Sequence, residues 1–150
     1  FAAARSGRAR FDLAETEPLP RALARILRSG GRIVFTVPQP GFNHARMVHV
    51  AEMADRAGEI VTVYSVKVFG YLTPSIAHGV AIEGQPRPQL YFDRPLQELF
   101  GAAFAAGFVL DGLEERSFPP DHSSGRNPLS WGGNYSEIPA VLVARARLAG

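Results

Sequence analysis

Four histidines, His44, His49, His78 and His122, carry most of the acid–base capacity near neutral pH in this chain of 150 residues. There is no cysteine, so disulfides and thiolate metal sites are excluded. His44 and His49 stand five residues apart, which does not place both on one helical face, and no metal site is indicated. Asp121 and His122 are adjacent, but a catalytic dyad needs geometry as well as adjacency, and they fall in a long polar stretch read as a mobile loop. No catalytic residue is assigned. Binding residues are easier to nominate. Phe42, Asn43 and His44 follow a predicted central strand at its carboxyl end, the edge where open α/β sheets take ligands. Tyr71, His78 and Tyr91, with Tyr64, Phe69 and Phe92, could line a hydrophobic pocket. The plainer alternatives are an ordinary turn with a surface histidine at His44, a small aromatic sub-core, and a solvated loop at His78.

The elements that would position these residues can be read from periodicity. Residues 1–10 have little apolar rhythm and are expected to fray. Leu19, Ala22, Leu23, Ile26 and Leu27 recur at helical spacing, with Thr16 as a candidate cap and Pro18 and Pro20 in the first turn. Gly30 suits a left-handed helix stop, and Ile33 to Val37 reads as a strand covered on both faces. His44 to Ala57 is expected to be a helix presenting Met47, Val50, Ala51 and Ala54. Ile60 to Phe69 reads as a strand, Thr73 to Pro88 as mostly loop, and Gln89 to Phe92 as a short strand pairing back on 60–69. Asp93 or Arg94 would cap a helix, with Pro95 in its first turn, that buries Leu96, Leu99, Phe100, Ala103 and Phe104 and stops at Gly107. Phe108 to Leu113 and Ile138 to Leu148 are strands with no helix between them, so they should pair antiparallel across the loop 118–137.

Composition bounds the rest. Apolar residues make up 46% and charged residues 20%, as in a globular domain. Net charge is +2 and the basic residues are scattered, without the basic stripe and interleaved aromatics of a nucleic-acid surface. No apolar run approaches the ~20 residues of a membrane span. The lack of cysteine fits a cytoplasmic location. The chain begins at Phe1, as expected of a processed or incomplete sequence.

The order helix, Gly-Gly, strand, irregular insertion, helix, paired strands resembles the carboxyl half of a class I S-adenosylmethionine-dependent methyltransferase, type 11/12-like. Leu27-Arg28-Ser29-Gly30-Gly31 is similar to the family's Leu-Arg/Lys-Pro-Gly-Gly before strand five, with Ser29 where proline is usual. Pro38-Gln39-Pro40-Gly41-Phe42 sits where many members carry a His-Pro turn. Tyr91-Phe92-Asp93-Arg94-Pro95-Leu96 resembles the aromatic-x-x-Arg lead into the next helix, Ala106-Gly107-Phe108 the start of strand six, and Ile138 to Val143 the closing strand. Phe11-Asp12-Leu13-Ala14 resembles the start of strand four, by accident or because that region is curtailed.

The resemblance implies an α/β fold. It would be the carboxyl-terminal part of a Rossmann-like seven-stranded sheet, with an inserted lid and an antiparallel last strand pair. As one domain it divides into an amino end at 1–15, helix plus strand at 16–41, an insertion over the substrate at 42–92, and helix plus strand pair at 93–150. It implies S-adenosylmethionine as cofactor and a small-molecule acceptor, with Phe42, Asn43, Tyr71, His78 and Tyr91 as substrate-binding residues. The family's glycine-rich cofactor loop is missing, so no cofactor-binding residue is assigned and the isolated chain is expected to be inactive. A truncated sheet would expose an edge and faces through which it could self-associate. The competing reading is a non-enzymatic α+β ligand-binding or dimerisation module.

Overall fold

The computed structural model describes residues 2–6, 14–79 and 85–150. The Phe11-Asp12-Leu13 segment lies outside them. Strands β1 (Ala3–Ser6), β2 (Arg32–Pro38), β7 (Phe108–Arg116) and β8 (Val141–Leu148) form one sheet in the order β1-β2-β8-β7. β1 runs parallel to β2, and β8 runs antiparallel to both β2 and β7. Helices α1 (Pro18–Ile26) and α2 (Leu96–Ala105) pack on one face of it. Two hairpins stand apart from the sheet: β3 (Met47–Arg56) with β4 (Glu59–Val68), and β5 (Ser75–Gly79) with β6 (Gln89–Asp93).

Alternation along β2 and β8 builds the core. Ile33, Phe35 and Val37 point to the helices and face Ala146, Ala144 and Leu142 across the ladder. Alanines opposite large side chains leave room for Leu99, Phe100 and Ala103 of α2, which are buried. Phe35 and Phe100 meet at 5.9 Å between ring centroids. The opposite face is different. Val34, Leu113, Val143 and Arg145 line an open trough of about 320 Å³, and Leu113 is 51% exposed. Asp111 bridges Arg145 at 2.8 Å and Arg32 at 3.4 Å beside it, and those guanidiniums hold its carboxyl below the usual range.

Several expectations are corrected. Residues 3–6 are a strand, because parallel pairing with β2 supplies what their Ala-rich sequence lacks. The expected helix 44–57 is the strand β3. Its 3/4-spaced residues fall on both faces of the strand, and ladder pairing overrides their spacing: Ala57-Gly58, both at positive φ, close a two-residue hairpin onto β4. β6 pairs with β5 and not with 60–69, and β5 occupies part of the expected loop. β2 is covered fully on one face only. α1 carries its buried stripe at Pro20, Leu23, Ala24 and Leu27, rotated from the expected one, and Ile26 is 52% exposed. It begins after Glu17, with no side-chain cap from Thr16 or any other residue. Pro95 is the N-cap of α2, which likewise has no side-chain cap. Gly30 and Gly107 do take left-handed conformations, and Gly107 stops α2.

Candidate functional site

The turn that leaves β2 is built by Gln39. Its backbone carbonyl accepts from the N–H groups of Phe42 and Asn43, and its N–H donates to Ala140 at 3.0 Å. Its buried side-chain amide donates to Glu115 at 2.6 Å and its oxygen accepts from Gly41 N–H. This fixes Asn43 against β8: Asn43 Nδ2 donates to the Ala140 carbonyl at 2.9 Å, and Asn43 Oδ1 accepts from Trp131 Nε1 at 3.2 Å. Two clusters grow from this turn at the carboxyl end of β2.

The first is aromatic. The His49 ring lies 4.6 Å from Trp131, edge-on, and 4.5 Å from Tyr135. Tyr64, on the same face of the β3–β4 hairpin, meets Tyr135 at 5.6 Å. Trp131 and Tyr135 come from the segment between β7 and β8, where Gly133–Tyr135 forms a single 3-10 turn. Gly133 makes that turn possible, since a Cβ there would sit 2.0 Å from the Pro120 carbonyl oxygen. Tyr135 is 1% exposed, so this part of the expected mobile loop is packed. His49 Nε2 and the Tyr135 hydroxyl are both buried without a hydrogen-bond partner. Burial lowers the His49 pKa below 6.5 and raises that of Tyr135, with Tyr64 adding to the latter.

The second cluster is polar. Asp93, buried at the end of β6, accepts from Ala45 N–H at 2.9 Å and from the Ser75 hydroxyl at 3.1 Å. His44 Nδ1 accepts from Arg46 N–H at 3.1 Å, which places the ring proton on Nε2, an atom buried without a hydrogen-bond partner. Desolvation lowers its pKa, with Asp93 opposing and Arg46 assisting. The Tyr71 ring lies 6.2 Å from His44, and its hydroxyl accepts from Leu96 N–H at 2.8 Å. A niche of about 10 Å³, room for a single water, lies among Pro40, His44, Tyr71, Ser75, Asp93 and Arg94.

The nominated residues divide accordingly. Asn43 belongs to the aromatic cluster through Trp131, and Tyr71 to the polar one. Phe42 is 38% exposed on the turn. Tyr91 packs against the core and lies over Gly79, where a Cβ would come within 2.2 Å of its ring. His78 is exposed on β5, on a strand and away from both clusters. His49, Trp131, Tyr135 and Asp93 escaped nomination. Trp131-Gly132-Gly133-Asn134 was the available signal, because a glycine pair beside a lone tryptophan marks close packing of backbone. Among the described residues no cluster of metal-ligating side chains occurs and no helix is long and apolar enough to cross a membrane.

No family model and no curated protein matches the chain. Solved structures do. A Listeria monocytogenes protein described as an S-adenosylmethionine-dependent methyltransferase superposes with a TM-score of 0.67 at 15% identity, over 100% of this chain and 62% of its own. An S-adenosylmethionine-dependent methyltransferase from Mesorhizobium loti gives 0.61 at 20% identity, over 98% and 62%. The glycopeptide N-methyltransferase MtfA, complexed with S-adenosyl-L-methionine, gives 0.51 at 9% identity, over 97% and 57%. The fold is therefore that of part of a class I methyltransferase, and the chain spans less than two thirds of these neighbours' length.

Proposed function

We propose that this chain is the carboxyl-terminal, acceptor-side portion of a class I methyltransferase that moves a methyl group from S-adenosylmethionine to a small molecule. The observation that carries the reading is the full-length structural likeness with more than a third of each neighbour left unmatched. Two features support it. β1 is an edge strand whose outer side has no partner among the described residues, and the trough over Val34, Leu113 and Val143 is uncovered. Both are places where further strands and helices of a seven-stranded sheet would pack. Standing alone, the same edge and face would favour self-association.

The described residues do not fit the cofactor. Gly30 N–H donates to the Leu148 carbonyl at 3.1 Å and Gly31 N–H to the Arg28 carbonyl at 2.8 Å, so neither amide is available to a ligand. No glycine-rich strand-to-helix turn occurs among them. S-adenosylmethionine would be held by the rest of the parent protein, and this chain would select the acceptor. The insertion 42–92 serves as the lid, and Phe42, Asn43 and Tyr71 are its acceptor-facing candidates. The chain has no cysteine, which accords with a cytoplasmic setting. Methyl transfer depends chiefly on placing acceptor and donor in line, so a site rich in shape and poor in titratable groups is adequate.

The alternative, a self-sufficient ligand-binding module, predicts cooperative melting of a soluble monomer or dimer. Calorimetric titration of residues 1–150 with S-adenosylhomocysteine is expected to give no binding in the micromolar range. Micromolar binding would overturn the assignment of the cofactor site to another segment.

A further inference from the structure

We propose that the niche beside His44 is a binding site for one structural water. That water accepts from His44 Nε2 and from the Tyr71 hydroxyl, donates to the Asp93 carboxylate, and so fastens the insertion to the edge of the sheet.

The three side chains that line the niche are each part committed elsewhere, in a way that fixes what remains. His44 Nδ1 accepts from Arg46 N–H at 3.1 Å, so the ring proton sits on Nε2, which is buried without a partner. A buried donor in that state calls for an explanation. The Tyr71 hydroxyl accepts from Leu96 N–H at 2.8 Å, which leaves its own proton to donate. Asp93 Oδ2 accepts from Ala45 N–H at 2.9 Å and from the Ser75 hydroxyl at 3.1 Å. Asp93 Oδ1 accepts from no group among the described residues, and so has both lone pairs to offer. Two donors and one acceptor therefore come from the walls of a niche of about 10 Å³. That is the size of a single water, and a buried water typically makes about three hydrogen bonds.

Chemistry selects water over an ion. A metal cation needs an imidazole lone pair, and in His44 one nitrogen already accepts while the other carries the proton. An anion would face the Asp93 carboxylate. Arg94, also on the niche wall, is turned to the backbone: its Nη1 donates to the Phe92 carbonyl at 3.4 Å and its Nη2 to the Ala14 carbonyl at 2.6 Å. Water, with two lone pairs and two protons, meets both donors and the carboxylate. Electrostatics agree. The Asp93 carboxylate favours the protonated His44 ring, against burial and Arg46, so ring and carboxylate sense one another.

Placement gives the water its role. His44 lies between β2 and β3, Tyr71 between β4 and β5, Asp93 ends β6, and Leu96 begins α2. One water thus joins the entry, the middle and the exit of the insertion at the carboxyl end of β2. The site stands on these contacts alone; its use as the fastening of an acceptor lid rests on the methyl-transfer reading.

Nuclear magnetic resonance of the whole chain tests the site without cofactor. Long-range proton–nitrogen correlations should show neutral His44 as the Nε2–H tautomer. The carbon-bound ring protons flanking Nε2 should cross-relax with a long-lived water. Tyr71→Phe keeps the ring and removes the hydroxyl, and should weaken that water contact by roughly threefold or more, as for one lost hydrogen bond. Asp93→Asn should weaken it too, and should move the His44 pKa further below 6.5 because the carboxylate no longer supports the charged ring. Where Asp93→Asn fails to fold, Tyr71→Phe decides. An Nδ1–H tautomer, no long-lived water at the ring, or a contact undiminished in Tyr71→Phe would each overturn the proposal. None of these results bears on the S-adenosylhomocysteine titration, so failure of the site and failure of the methyl-transfer reading are told apart.

Discussion

The sheet layer and the insertion bury their apolar groups in opposite ways. Phe35, Val37, Phe108, Leu142 and Ala144 are each at most 2% exposed. Between Gly41 and Phe92 none of the described residues is fully buried, while Met53, Leu72 and Ile76 are each more than 60% exposed. Two-stranded hairpins are marginal alone. These two hold their shape through their ladders, through Asp93 and through the rings of Trp131 and Tyr135. The sheet is a scaffold with its own core, and the insertion is mostly exposed surface, as the proposed acceptor lid requires.

That contrast can be broken or sharpened in graded steps. Phe35→Ala should cost about 3–5 kcal/mol in denaturant unfolding, as for an aromatic lost from a closed core. Gly79→Ala must displace the packed Tyr91 ring and should cost roughly 1–3 kcal/mol, an unusually large effect for the insertion. Ala57→Gly relieves the one non-glycine residue at positive φ among those described, and should stabilise by about 0.5–1 kcal/mol. Met53→Ser, 77% exposed near the hairpin tip, should change stability by less than about 0.5 kcal/mol. A large loss there would mean that the insertion has a core of its own.

Acid tests the same contrast. His44 and His49 both have folded-state pKa values below 6.5. The unfolded chain therefore takes up protons first as pH falls. Stability should be complete above about 6.5, decline below it, and level off once the folded rings protonate as well. The His49→Phe variant should show a shallower decline in melting temperature between neutral and mildly acidic pH.

Legibility followed the same division. The Leu99, Phe100, Ala103 stripe, the Gly107 stop and the antiparallel pair β7–β8 were readable, because local periodicity and the packed result agree there. β3 reads as a helix because Met47, Val50, Ala51 and Ala54 fit helical spacing although they fall on both faces of the strand, and Ala57-Gly58 is a weaker hairpin signal than Asn-Gly. β1 has no pattern of its own and exists through its partner. Asn43 was legible from its place after β2. His49 and Tyr135 were not, because their environment is made by residues far apart in sequence, on a hairpin and on a loop that the order of residues does not bring together.

The central claim is that acceptor selection lives in this chain and cofactor binding does not. It is tested most directly by extending the protein upstream of Phe1 and titrating both forms with S-adenosylhomocysteine by calorimetry. The account predicts one-to-one micromolar binding for a form carrying a strand and glycine-rich loop upstream, and none for residues 1–150. Equal binding by both, or no binding by the extended protein, would contradict it.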